Sequence, residues 1–152
     1  MLSKAKLFLF IGFACLVHSH GLYAATQSVL TNGAPVRWAS HRVELAANPI
    51  NRSGLSESQV YEAAVRGLNR WKDGSGGTLG FDYWQGTDDQ IFEANSHLNG
   101  QNSLYFASHS GAPVDSQVLG LTQVWFDAQT GEIIETDIVL NDVDYQFSTR
   151  VS

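Results

Sequence analysis

The sequence contains little cysteine, little proline and few basic residues. Cys15 is the single cysteine among 152 residues, so no intrachain disulfide can stabilise the fold. The whole chain has 3 prolines, and its short interior run D-G-S-G-G at residues 73–77 ends the predicted helix, so the sequence has no recognisable interdomain linker. The length suits one domain, and a hydrophobic content of 43% is enough for a packed core.

The N-terminus has the pattern of a secretory signal peptide. Lys4 and Lys6 precede a short apolar run over residues 7–17, and small residues close the segment at Ala24. The run is shorter than the roughly 20 residues that a transmembrane helix needs. We predict a signal peptide over residues 1–24, cleaved after Ala24 or Ala25, and a secreted or periplasmic protein. An uncleaved membrane anchor is the alternative.

The charge of the mature chain argues against two classes of partner. Removing Lys4 and Lys6 from the 9 basic residues leaves seven against 15 acidic ones, a net charge of −8. The sequence shows no basic stripe, which binding to a phosphate backbone or an anionic lipid surface requires. We therefore expect no nucleic-acid partner and no stable membrane association after signal cleavage.

One helix is clearly indicated, over residues 55–71. Ser56 and Gln59 have the spacing of a capping box at its start. Apolar residues recur along it at helical spacing and define a face that we expect to pack on a sheet: Val60, Ala64, Leu68 and Trp71. This pattern predicts that Trp71 is buried.

Five strand regions are predicted: residues 36–38 together with 42–46, then 79–84, 103–107, 119–127 and 132–141. The first two flank the helix, which indicates a parallel pair joined by a right-handed crossover. The last two form a β-hairpin, with Gly131 at the turn exit where a positive φ is expected. Alternation along the last strand predicts that Ile134, Ile138 and Leu140 face the core and that Glu135 and Asp137 face away.

The hairpin also carries a family resemblance. The string G-E-I-I-E-T-D-I-V-L-N (residues 131–141), preceded by L-G-L-T-Q-V-W-F-D, resembles the last two strands before the zinc helix of bacterial matrixin-like metallopeptidases, which are metzincins. The resemblance implies an α+β fold: a twisted, mixed, mostly parallel sheet with one long helix packed on it, the metzincin upper subdomain, here incomplete. Residues 25–152 would then be the N-terminal part of the catalytic domain of a secreted zinc metalloendopeptidase.

The catalytic motif of that family is missing from these 152 residues. The family has H-E-x-x-H-x-x-G-x-x-H on the next helix, which supplies two zinc ligands and a general base on one face and a third ligand beyond it. The five histidines do not form such a pair: His18, His20, His41, His97 and His109. We predict no catalytic or zinc-binding residues in this chain and no hydrolysis by it alone. An exported, non-catalytic, β-rich binding module is the alternative.

The resemblance does imply a substrate-binding edge. In the family, the strand that corresponds to residues 118–124 forms the upper rim of the cleft, and a substrate peptide pairs with it in an extended, antiparallel way. Leu119, Gly120 and Leu121 are the candidate substrate-binding residues, and the expected partner is a peptide or protein substrate. An ordinary edge strand is the alternative.

Other chemistry is less favoured. A structural zinc would use His97 and His109, and calcium is a second candidate metal because aspartates are plentiful: Asp82, Asp88, Asp89, Asp115, Asp127, Asp142 and Asp144. No EF-hand spacing occurs among them. Glu132 and Glu135 as a glycosidase pair, and Ser108, His109 and Asp115 as a hydrolase triad, lack the spacing and the surrounding motifs that those sites need.

Overall fold

The computed structural model describes residues 28–83, 98–109 and 114–149 in full, and the backbone of residues 4–9, 84–85 and 110. The rest of the predicted signal segment, residues 1–3 and 10–24, lies outside the described residues. The described elements are β1 (Lys4–Leu9), β2 (Arg42–Ala47), α1 (Glu57–Gly74), β3 (Gly80–Gln85), β4 (Ser103–Phe106), α2 (Ala107–Ser110), β5 (Gly120–Asp127) and β6 (Ile133–Leu140). The predicted helix and five predicted strands are thus confirmed, with ends shifted by at most three residues.

The strands form one sheet in the order β1-β5-β6-β4-β2-β3. The pairs β2–β3, β2–β4 and β4–β6 are parallel, whereas β5–β6 and β1–β5 are antiparallel. Strands β2 to β6 therefore make a mixed, mostly parallel sheet with α1 packed on it, and the predicted α+β fold class is confirmed. None of the helices in the described ranges is both long and apolar enough to cross a membrane.

Helix α1 begins as predicted and ends differently. Ser56 is the N-cap, and its side chain and that of Gln59 form the capping box. Val60 is buried, and the Tyr61 ring meets Tyr83 of β3 edge-on at 5.6 Å. The prediction that Trp71 is buried is wrong, since 69% of it is exposed. Helical spacing identifies the side of α1 that faces the sheet, but it does not reveal how far along the helix the sheet extends.

The two faces of β6 are buried in the opposite sense to the prediction. Glu135 and Val139 are fully buried, while Ile134 is 38% exposed. Ile138 and Leu140 are partly buried and line an open groove beside α1. The face of Glu135 and Val139 holds the tightest apolar cluster, formed by Ala46, Tyr105, Ala107 and Val139 with Val114 packed against it. The prediction failed because alternation separates two faces without showing which one the loops cover.

The β5–β6 hairpin closes through a polar turn, as predicted. Gly131 has φ +75°, and a Cβ there would lie 2.3 Å from the Pro35 carbonyl oxygen, so the position requires glycine. Asp127 Oδ1 accepts hydrogen bonds from the N–H groups of Gln129 (2.8 Å) and Thr130 (2.9 Å). A register shift at Trp125 and Phe126 marks a β-bulge, which turns the hairpin end relative to the rest of the ladder.

The turn should make part of the stability depend on pH. Hydrogen bonds from the Thr130 and Gln129 backbone hold the pKa of Asp127 below its ordinary value. A lowered folded-state pKa adds stability above the unfolded pKa, and this stability is lost as the pH falls through the folded pKa. Asp127→Asn keeps the acceptor and removes the charge. Denaturant unfolding measures the free energy of unfolding of both proteins. We expect the wild type to be more stable than Asp127→Asn at about pH 6, and we expect this difference to shrink below about pH 4. A difference that stays constant with pH would contradict this account.

Two substitutions compare how much the core cluster and the end of α1 contribute to the free energy of unfolding. Val139→Ala should lower the free energy of unfolding by about 2 kcal/mol, because it removes buried methyl groups and leaves a cavity. Trp71→Ala removes a larger side chain that is mostly in solvent, so we expect a loss below about 1 kcal/mol. Urea unfolding measures both. A larger cost for Trp71→Ala than for Val139→Ala would mean that the core lies on the α1 side of the sheet.

Candidate peptide-binding edge

Strand β5 lies at the antiparallel edge of the five-strand sheet. The Leu119 carbonyl accepts a hydrogen bond from Asn141 N–H at 2.9 Å, so the Leu119 backbone faces β6. Because backbone groups alternate in direction along a strand, those of Gly120, Thr122 and Val124 face outward. On this side β5 pairs with β1, and removal of β1 would leave these N–H and C=O groups available to another extended chain.

The three candidate substrate-binding residues lie at the start of this edge. Leu119 is 49% exposed, and Gly120 and Leu121 are half-buried. A Cβ at Gly120 would lie 3.1 Å from the Val139 carbonyl oxygen and 3.4 Å from Leu140. The close backbone approach that Gly120 permits is therefore to β6 inside the sheet. A role for Leu119, Gly120 and Leu121 in substrate binding stays a prediction.

Asn141, directly after β6, fixes the start of β5. It is fully buried, and its Nδ2 donates to the Val118 carbonyl (3.0 Å), to the Asp115 carbonyl (3.3 Å) and to Asp144 Oδ2 (3.0 Å). Its Oδ1 accepts from the N–H groups of Val143 and Asp144, both at 3.2 Å. One amide side chain thus holds the entry to the edge strand against the end of its neighbour.

Asp142 connects two further segments to the same point. Its Oδ2 accepts from Arg52 N–H and from Ser108 Oγ, each at 2.6 Å, and its Oδ1 accepts from Ser108 N–H at 2.8 Å. Ser108 therefore pairs with Asp142, while Asp115 is exposed and accepts from Gln117 N–H. The arrangement ties loops to the sheet and does not assemble Ser108 and Asp115 into a triad.

Glu135, within β6, is also a buried polar residue of this region. Its Oε2 accepts hydrogen bonds from Asn99 N–H (2.9 Å) and from Gly100 N–H. Glu132 is exposed at the turn, so the two carboxylates occupy different environments and do not face a common site. The roles of Glu135, Asn141 and Asp142 were missed from the sequence. The available signal was a polar side chain inside, or just after, a strand of otherwise apolar residues.

A second surface lies on the opposite side of the sheet. An apolar groove of about 310 Å³ runs between α1 and strands β4 and β6. Its lining includes Leu68 and Trp71 from the helix, Leu104 and Ile138 from the sheet, and Phe147. The Phe147 ring packs edge-on against Phe106 at 5.8 Å. The part of the apolar sheet face that α1 does not cover is therefore open.

The less favoured candidate metal sites, a structural zinc and calcium, find no geometric support in the described ranges. Over residues 28–85, 98–110 and 114–149, no three His, Cys, Asp or Glu residues come together as a set that could hold a metal ion. Asp82 pairs with Arg42, and Asp127 accepts hydrogen bonds from its turn. His97, Asp88 and Asp89 lie outside the described residues.

Comparisons of the chain with protein-family models, with curated proteins and with solved structures gave no match. The motif in the hairpin and the geometry of the sheet are therefore the features of this chain that bear on its function.

The contribution of Glu135 to stability can be compared with that of Glu132, an exposed glutamate in the turn before the same strand. Glu135→Ala should cost about 3 kcal/mol of unfolding free energy, because two backbone N–H groups lose a charged acceptor in the interior. Glu132→Ala is the matched control, and we expect a change within about 0.5 kcal/mol. Thermal and urea unfolding measure both variants. Equal effects would show that Glu135 does not anchor the segment around residue 99.

Proposed function

We propose that this chain forms the peptide-binding sheet of a matrixin-like, secreted zinc metalloendopeptidase and does not hydrolyse peptides by itself. The supporting observation is the strand order β3-β2-β4-β6-β5, in which three pairs are parallel and β5 runs antiparallel to β6 at the end of the series, with β1 paired to its other side. The resemblance implies this arrangement, with the antiparallel strand as the upper rim of the cleft. The motif that carries the resemblance lies in the same hairpin.

The groove beside α1 is a second supporting observation. In the family, the zinc-binding helix backs the sheet. Here the apolar side chains of β4 and β6 border a groove that one more apolar surface would fill. The zinc ligands and the general base would be supplied by that helix, and they do not occur among the 152 residues. Zinc, when bound there, would polarise the scissile carbonyl and activate a water molecule.

A second candidate is an exported, non-catalytic module that binds extended peptides. It is favoured by the absence of an H-E-x-x-H string from the sequence. The two candidates share the same edge strand and differ in the helix. An H-E-x-x-H-x-x-G-x-x-H string in the reading frame beyond Ser152 would favour the peptidase. Without it, a protein that binds peptides and unfolds cooperatively as a monomer would favour the module.

The chain alone should lack peptidase activity. We expect purified protein with added zinc to release no more fragments from casein than a blank does, because two ligands at i and i+4 and a neighbouring general base are missing. The measurement is fluorescence from labelled casein, with and without a chelator. Turnover that the chelator abolishes would contradict the proposal.

Binding at the edge can be tested separately, with the chain from which residues 1–24 have been removed. A labelled extended peptide from casein should bind through its backbone. N-methylation of alternate amides should weaken binding about tenfold when the methylated set faces β5, and much less when the other set is methylated. Fluorescence anisotropy gives both affinities. Equal affinities for the two methylated peptides would exclude strand pairing as the mode of binding.

A further inference from the structure

Two Asn–Gly steps of the chain lie in closely matched surroundings. Asn32–Gly33 and Asn99–Gly100 are both exposed, and their glycines have similar positive φ angles, +83° and +82°. In each step the asparagine Oδ1 accepts a hydrogen bond from the N–H two residues further on, which belongs to Ala34 (2.9 Å) or to Gln101 (2.8 Å). The two steps therefore share their exposure, their glycine conformation and the type of partner at the side-chain carbonyl.

The two steps differ in the acceptor of the glycine N–H. The Gly33 N–H donates to the Leu30 carbonyl at 2.9 Å, which is a neutral acceptor. The Gly100 N–H donates to Glu135 Oε2, which also accepts from the Asn99 N–H at 2.9 Å. Glu135 is fully buried on β6. Strand β6 therefore holds a carboxylate, which can take up a proton, against the nitrogen of Gly100.

An Asn–Gly step can modify itself, because glycine has no side chain to hinder attack by its own nitrogen. That nitrogen attacks the side-chain carbonyl carbon of the asparagine, a succinimide ring forms, and the side-chain nitrogen leaves as ammonia. Water then opens the ring to aspartate or isoaspartate. The attack removes a proton from the glycine nitrogen and places negative charge on the carbonyl oxygen. A base at the nitrogen and an N–H donor at the oxygen therefore accelerate it.

We propose that Asn99–Gly100 is a self-modification site at which Glu135 is the general base. Glu135 Oε2 takes the proton from the Gly100 nitrogen as this nitrogen bonds to Asn99 Cγ, and the Gln101 N–H stabilises the charge on Oδ1. The Cγ–Nδ2 bond then breaks, the proton passes from Glu135 to Nδ2, and ammonia leaves. One water molecule opens the ring, so the net change converts one amide into one carboxylate.

The product alters the contact that holds this segment to the sheet. A new carboxylate lies beside Glu135, and isoaspartate adds one carbon to the main chain between the two N–H groups that Glu135 accepts. Because like charges at short distance repel, conversion weakens the anchor ahead of β4. The reaction uses water and residues of this chain alone, and it is independent of the proposed peptidase role.

The second Asn–Gly step serves as a control within the same protein. The full chain, made by cell-free synthesis without membranes, is incubated near neutral pH, and tandem mass spectrometry of digests follows aspartate and isoaspartate at residues 32 and 99. In the folded protein, residue 99 should convert at least about tenfold faster than residue 32. In urea, where Glu135 is no longer held at Gly100, the two rates should become similar. Equal rates in the folded protein, or a difference that persists in urea, would overturn the proposal.

A substitution separates the base from the other difference between the steps, which is the hydrogen bond from Asn32 Nδ2 to the Gln129 carbonyl at 3.1 Å. Glu135→Gln keeps an oxygen that can accept both N–H groups and removes the basic carboxylate. Conversion at residue 99 should slow at least about tenfold, while the rate at residue 32 stays the same. Glu132→Gln, in the turn before β6, is the matched control and should leave both rates unchanged.

Circular dichroism shows whether each variant is folded. Unchanged or faster conversion at residue 99 in folded Glu135→Gln protein would overturn the proposal. If this variant does not fold, the comparison of residues 32 and 99 in the wild type, folded and in urea, decides the matter.

Discussion

Strand β6 forms two hydrogen-bond ladders of different type, one on each side. It pairs in parallel with β4 on one side and antiparallel with β5 on the other, and so it joins the parallel part of the sheet to its antiparallel edge. Parallel and antiparallel ladders place their hydrogen bonds differently, so the register on both sides must be fixed independently. The polar side chains within and just after β6 fix the neighbouring segments on each side. Glu135 anchors the segment around residue 99 ahead of β4, and Asn141 holds the start of β5.

These buried polar groups also explain which face of the sheet is the better packed. Glu135 could be buried because Asn99 and Gly100 provide N–H donors, and Asp142 is satisfied in the same way by Ser108 and Arg52. A buried carboxylate without such partners would be costly. The segments that supply the donors are therefore held at β6, and Val139 is buried in the cluster of Ala46, Tyr105 and Ala107 with Val114 packed against it. On the other face, α1 and strands β4 and β6 border the open groove.

Local patterns were sufficient to predict the elements but not their burial. The capping box at Ser56, the turn glycine at Gly131 and the alternation of the strands depend on nearest neighbours, and each predicted feature is present. The exposure of Trp71 and the burial of Glu135 depend on where distant segments end, which a periodic pattern does not encode. In the candidate site, the edge strand was predictable from its hairpin. The amide of Asn141 that positions it was not, because its partners, Asp115 and Val118, are far away in sequence.

The edge of β5 and the groove beside α1 are distinct surfaces, and the proposed peptidase needs both. Pairing along β5 can orient a peptide but offers no nucleophile, and the groove can hold a further apolar element but binds no substrate backbone. Under the proposed function, these two surfaces would position the substrate and the zinc-binding helix, and the catalytic groups would come from that helix. In the described structure β1 pairs with β5, whereas the groove beside α1 is open. The two surfaces can therefore be occupied independently, because one is a backbone ladder at β5 and the other is an apolar face between α1, β4 and β6.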